Sequence, residues 1–263
     1  MSIKDCLKGI VLNVQFLTRI PIPVRIDWDD RAFAAGAVFA PVIGLVIGLC
    51  SGGVYLLFGL MDIRALAIFM GMTAEIVISG GIHLDGLADS FDALFSYRDR
   101  ERTLEIMKDS RLGTSGAIGL FMVLILKYLL LFSLPDSHII ACFIVMPVLS
   151  RMTIPWCAGL SPYARKAEKS VTAGLIKNTG LLEPVIASVL AALIAAFFLR
   201  LTVIPITMIV IAFVLLVNLY MKKRIGGITG DIIGGVIELS ELLFLFAILF
   251  LDKINSIQKM VNF

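Results

Sequence analysis

Residues 36–60 read "GAVFAPVIGLVIGLCSGGVYLLFGL", 25 residues without one charged side chain. About 20 apolar residues at 1.5 Å each are enough for a helix to cross the hydrocarbon core of a bilayer. The stretch is therefore read as a transmembrane helix. Its small residues recur every fourth position, at Gly36, Ala40, Gly44, Gly48 and Gly52. Such a ridge lets a second helix approach closely. Six more apolar runs follow, at roughly 64–80, 117–134, 139–160, 184–200, 203–220 and 232–251. The whole chain is 59% hydrophobic and only 16% charged, with a mean hydropathy of +0.98. Soluble domains carry about 25% charged residues. The predicted fold class is all-α, a polytopic membrane bundle of about seven transmembrane helices in a single domain over 1–263.

The connections alternate. Short ones near 61–63, 133–138 and 200–202 carry few charges, whereas the long ones are basic. Arg98, Arg100, Arg102, Lys108 and Arg111 occupy one; Arg165, Lys166, Lys169 and Lys177 the next; Lys222, Lys223 and Arg224 the third. With Lys4, Lys8, Arg19, Arg25 and Arg31 they fall on one side of a seven-span arrangement, which the positive-inside rule makes cytoplasmic. Lys253 and Lys259 then sit on the other side, against the trend. The basic residues serve membrane topology, and the net charge of +3 gives no sign of nucleic-acid binding.

At the N-terminus, Ile3, Leu7, Ile10, Val14 and Leu17 recur at helical spacing opposite Lys4, Lys8, Gln15 and Thr18. This pattern predicts a helix in the membrane interface, or an amphipathic helix packed on the bundle, ended by Pro21 and Pro23. Asn13 and Gln15 interrupt it too early for a cleavable signal. The four cysteines show no paired spacing and read as small buried hydrophobes.

Against this apolar background the acids stand out. In "HLDGLADSFDAL" (83–94), Asp85, Asp89 and Asp92 fall on one helical face within an arc of roughly 60°. Three neighbouring carboxylates repel, and at a membrane boundary desolvation adds to the cost. A divalent cation relieves both, with Mg²⁺ the natural partner of hard carboxylate oxygens and substrate phosphate. A solvated acidic face is the plainer explanation of the same spacing. A second acidic element, "GGITGDIIGGVIELSELLFLF" (226–246), carries Asp231 at its start, and Glu238 and Glu241 deeper. Gly234 and Gly235 leave its face open to close approach. Glu75 is a third intramembrane acid. Ionisable residues inside a span suggest function, unless they pair with Lys127 and Arg151, the two cations within spans.

Between these elements, "ERTLEIMKDSRLGTSGAIGL" (101–120) sets Lys108 and Arg111 around Asp109 and Ser110, then Gly113, Thr114, Ser115 and Gly116 before the third span. Cations beside a helix start rich in small residues form a plausible phosphate cradle. Metal-binding acids with a basic clamp point to phosphoryl chemistry. His83 is read as a substrate contact, since a hard cation prefers oxygen.

"FLTRIPIP", "GGIHLDGLADSFDAL", "RERTLEIMKDSRLGTSGAIGL" and "GGITGDIIGGVIELSE", in that order from Phe16 to Glu241, together resemble the cobalamin synthase family, the adenosylcobinamide-GDP ribazoletransferases. The resemblance implies a Mg²⁺-dependent enzyme of a prokaryotic cell membrane with its active site on the cytoplasmic side. The ribose 3′-hydroxyl of α-ribazole, or of its 5′-phosphate, would attack the cobinamide-linked phosphorus of adenosylcobinamide-GDP and release GMP. It further implies that Asp85, Asp89, Asp92 and Asp231 hold one or two Mg²⁺ ions. His83, Lys108, Asp109, Ser110, Arg111, Thr114 and Thr229 would contact substrate. Asp89 and Glu238 are the two candidates for accepting the hydroxyl proton, and sequence does not choose between them. Anchoring in the bilayer would suit a homo-oligomer or assembly beside other enzymes of the pathway. The competing class is an ion-coupled secondary transporter that uses Glu75, Glu238 and Glu241.

Overall fold

The computed structural model describes residues 3–166 and 170–261, all helix and connection apart from one isolated bridge between Tyr163 and Ile228. Lys169 lies outside the described residues, as do the side chains of Lys4 and Lys259.

Helix α1 (Ile3–Leu17) packs against α2 (Asp30–Gly36), whose N-terminus is capped by Asp29. Gly9 and Gly36 touch backbone to backbone, and the buried Asn13 amide donates to the Gly9 and Phe33 carbonyls at 2.8 Å each. The N-terminal helix is thus docked on the bundle, with Leu7 turned outward.

A 3-10 turn joins α2 to α3 (Ala40–Gly59), which forms a hairpin with α4 (Arg64–Ser79). The small-residue ridge of α3 is a packing surface. A Cβ on Gly44 or Gly48 would strike the backbone of Pro147 or Ile144 on α8 (Asp136–Arg151). At the end of α4, Gly80 and Gly81 both adopt left-handed φ, +67° and +70°. That conformation costs glycine nothing. The chain turns by 89° there into α5 (Ile82–Leu94). Apolar periodicity predicts a span over 64–80 but carries no signal for this turn.

Beyond α5, a short helix α6 (Arg100–Ile106) precedes α7 (Thr114–Ser133); α8 continues through a break at Met152 into α9 (Thr153–Leu160). After α10 (Val171–Asn178) come α11 (Leu182–Leu199) and α12 (Val203–Arg224), then α13 (Gly230–Val261). Among the described residues, five stretches are long and apolar enough to cross a membrane, or six if α4 and α5 count as one bent span. One of the five, Leu182–Arg224, has 43 residues, about 64 Å of helix and twice the bilayer core. Its two ends lie near each other, because Gly159 packs on Gly180 while Pro162 packs on Gly227. The stretch therefore folds back at Arg200, whose φ is +53°, and supplies two crossings. On that count the architecture agrees with about seven spans.

The ends of the bundle differ. At one, Arg64 on α4 pairs with Asp136 on α8 at 2.5 Å. At the other, the long basic connections are laced together: Arg100 donates to the Ala164 carbonyl at 3.2 Å, and Arg224 to that of Arg98 at 2.7 Å. We refer to this second end as the basic face.

Candidate active site

Helix α5 crosses the start of α13 at close quarters on the basic face. A Cβ on Gly86 would lie 2.8 Å from the Asp231 carbonyl oxygen, and one on Gly234 would lie 3.1 Å from that of His83. These two glycines bring both acidic elements together. A cavity of about 220 Å³ opens at the crossing, lined by Asp85, Asp231, His83 and Thr172, with Phe16 and Phe33 as an apolar wall. Asp89 is half-buried one turn from Asp85, and the negative charges of Asp85, Asp92 and Asp231 all act on it. Among the described residues the carboxylates are thus crowded without enough cations to balance them. Arg165, from the connection before α10, donates to Asp231 at 2.7 Å.

Arg165 also lines a groove of about 280 Å³ with Arg100, Lys108, Lys166, Glu101 and Glu105. The Arg165–Asp231 pair is the partition between groove and cavity. Nothing in the local sequence around Arg165 distinguishes it from a topogenic cation, and sequence reasoning assigns it no role in the site. Its placement depends on Asp231, 66 residues away.

Other anticipated residues take different positions. Asp92 accepts from the backbone N–H groups of Gly113 and Gly116 at 2.7 and 2.8 Å, one on each carboxylate oxygen. It caps α7, so two of the amides expected to cradle phosphate are already engaged, and each Asp92 oxygen already accepts one hydrogen bond. Thr114 is exposed at the first position of that helix. Thr229 is fully buried; its hydroxyl faces the Ile232 N–H at 3.3 Å, capping α13 and fixing the backbone that carries Asp231. Ser110 is exposed. Asp109 and Arg111 pair with each other at 2.6 Å. The Arg111 guanidinium holds the Asp109 carboxyl down to about 2, so Asp109 is ionised at any working pH.

Glu238 lies elsewhere. It joins Glu75 and Glu241 around Lys127 and Arg151 in a buried cluster contributed by α4, α7, α8 and α13. Lys127 lies 3.4 Å from both Glu75 and Glu238 and also contacts Glu241. Arg151 contacts Glu241 and sits 3.4 Å from Glu75, while Ser150 donates to Glu241 at 2.9 Å. The intramembrane acids are therefore the ion-paired kind. Asp89, half-buried beside the cavity, is better placed than Glu238 for a proton from a bound hydroxyl. A larger hollow of about 470 Å³ around Phe91, Phe95 and Met122 is almost wholly apolar and offers no comparable chemistry.

Among the described residues, no three His, Cys, Asp or Glu side chains close into a metal site of their own. The arrangement does fit the open mode that Mg²⁺ favours, in which one or two carboxylates share the ion with substrate phosphate and water. Asp85 and Asp231 line the same cavity, and Asp89 is crowded by both.

The geometry can be set beside known proteins. No solved structure matches the chain. An adenosylcobinamide-GDP ribazoletransferase of Caldanaerobacter subterraneus is 37% identical over 90% of this chain and 96% of its own length. One from Acetivibrio thermocellus is 38% identical over 91% and 96%, and one from Clostridium novyi 34% identical over 92% and 97%. The family profile of cobalamin-5-phosphate synthase matches residues 9–249, an interval that contains both acidic elements, the basic connections and the cavity, and this chain belongs to that family.

Proposed function

We propose that the chain is an adenosylcobinamide-GDP ribazoletransferase whose reaction takes place in the cavity between α5 and α13. The observation that carries the location is that Asp85 and Asp231 line one cavity, with Asp89 one turn away and under the charge of both, while Arg165 links Asp231 to a basic groove. The substrate pair follows from membership of the family and from the names of its relatives. By the positive-inside rule the basic face is cytoplasmic, where soluble substrates are reached from the aqueous side.

The groove with Arg100, Lys108, Arg165 and Lys166 suits the guanosine diphosphate portion of adenosylcobinamide-GDP, since fixed cations beside a cleft hold phosphate oxygens. Ser110 and Arg111, which follow Lys108 on the same connection, and Thr114 at the start of α7 do not line the groove and are assigned to the outer part of the same substrate. A ribose hydroxyl of α-ribazole or its 5′-phosphate, set in the cavity, attacks the cobinamide-linked phosphorus. One P–O bond forms to the ribose oxygen while the bond to GMP breaks, and a phosphodiester remains. Asp89 accepts the hydroxyl proton. Asp85, Asp89 and Asp231 would hold Mg²⁺, which when bound supplies charge neutralisation at the diphosphate. Arg165 keeps Asp231 oriented and balances part of the acidic charge. Phe16 and Phe33 exclude water from one wall, which favours the ribose hydroxyl over water as nucleophile.

The test is GMP release by the purified protein in detergent, given adenosylcobinamide-GDP and α-ribazole 5′-phosphate with and without Mg²⁺. Release that requires both substrates, the metal and Asp85 supports the reading. Folded wild-type protein that releases none overturns it.

A further inference from the structure

Arg151 lies far from the acidic cavity in sequence and is 1% exposed, yet it reaches the cavity through one side chain. Its Nη1 is held by Glu241, by Glu75 at 3.4 Å and by the Ser150 hydroxyl at 2.8 Å. Its Nη2 lies 3.4 Å from Nδ1 of His83. A guanidinium has five donors and no acceptor, so Nδ1 must be the acceptor of this contact. A neutral imidazole that accepts at Nδ1 carries its hydrogen on Nε2. That Nε2 is buried and meets no partner among the described residues, while His83, only 4% exposed, lines the cavity with Asp85 and Asp231. A buried donor left without an acceptor is costly to maintain, and here it borders the space where substrate is proposed to bind.

We propose that Arg151 is a positioning residue that fixes His83 as an Nε2–H donor aimed at a phosphoryl oxygen of the bound substrate. The buried ion cluster is then the support for one wall of the active site. Glu75 and Glu241 orient Arg151, Lys127 orients the two glutamates, and Arg151 sets the hydrogen of His83. The tautomer follows from the contact alone; the acceptor's identity rests on the proposed ribazoletransferase reading.

The chain has only two histidines, so His138→Gln leaves a single imidazole for ¹⁵N NMR in lipid nanodiscs. The expected spectrum is a neutral ring protonated on Nε2, with the Nε2 resonance shifting when adenosylcobinamide-GDP is added. Arg151→Lys keeps a cation beside Glu241 but has no second nitrogen to span from Glu241 to Nδ1. In that variant the tautomer preference disappears and kcat/KM falls by roughly tenfold to a hundredfold, the worth of one hydrogen bond to a charged group. His83→Gln, whose amide nitrogen replaces Nε2, retains more turnover than His83→Asn, whose amide replaces Nδ1. An Nδ1-protonated ring in the unsubstituted protein overturns the proposal, as does a tautomer unchanged in Arg151→Lys. If the ring is Nε2-protonated and depends on Arg151 but wild type releases no GMP, the positioning stands and the ribazoletransferase reading fails.

Discussion

Helix α13 carries acids into two environments. At its start Asp231 shares a cavity with Asp85, both act on the neighbouring Asp89, and Arg165 is the described cation beside Asp231. Two and three turns deeper, Glu238 and Glu241 meet Lys127 and Arg151 in a sealed cluster. Among the described residues the first group is short of positive charge and open; the second is nearly balanced and closed. A carboxylate that is already paired inside the bundle is structural material, because separating it from its partner leaves a buried charge. A carboxylate crowded by its own kind at a cavity wall gains by meeting a cation or a proton. Partners, not residue type or depth alone, separate the two roles.

The sharpest way to break this contrast is to exchange the consequences. Glu241→Ala leaves Lys127 and Arg151 without their shared anion, and we expect a loss of about 3–5 kcal/mol in stability. Thermal unfolding in detergent, with recovery of monodisperse protein, reads it. A fully stable variant would show that the cluster does not hold the helices together. Asp89→Asn is the opposite case, with turnover reduced by roughly 10²–10⁴-fold, the range for removing a general base. Its melting temperature should hold or rise, since a like charge is gone. A variant that melts early while keeping its GMP release would erase the distinction.

Smaller effects refine it. Arg165→Met removes the partner of Asp231, and kcat/KM should fall by roughly ten- to a hundredfold, while the Mg²⁺ concentration for half-maximal rate falls, because a competing cation has left the acids. Asp92→Ala should cost about 0.5–2 kcal/mol, the worth of a helix cap, while turnover per folded molecule changes little. A collapse of Mg²⁺ dependence in that variant would return Asp92 to the metal. Arg111→Ala is the mildest: the exposed pair with Asp109 contributes nothing measurable to unfolding, and a several-fold rise in KM for adenosylcobinamide-GDP is the expected sign of its contact.

Much of this arrangement is readable from residues. The uncharged run at 36–60 fixes a membrane helix, and its small-residue ridge announces the contact with α8 that the structure contains. The pairing of Glu75, Glu238 and Glu241 with Lys127 and Arg151 is one of the two readings open from composition, because these are the two cations within the apolar runs. Gly234 signals a close crossing on α13, although its partner on α5 is not given by any spacing. Asp92 illustrates the limit. It shares a helical face with Asp85 and Asp89, which suggests one shared role, yet two amides 21 and 24 residues away claim it.

The sequence by itself determines that this is a helical membrane protein, which end is basic, where acids interrupt the apolar runs, and to which family the motifs point. All of these depend on local composition and on periods of a few residues, since transfer into lipid is set residue by residue. The tertiary structure decides that α5 turns aside at Gly80 and Gly81, that Arg165 joins Asp231, and that Arg151 reaches His83. Those are pairings across 66 and 68 residues, made by helices that meet only when the bundle closes. A side chain's role in the site is settled by that meeting, because burial and a nearby charge change what a carboxylate, a guanidinium or an imidazole does far more than its neighbours in sequence do.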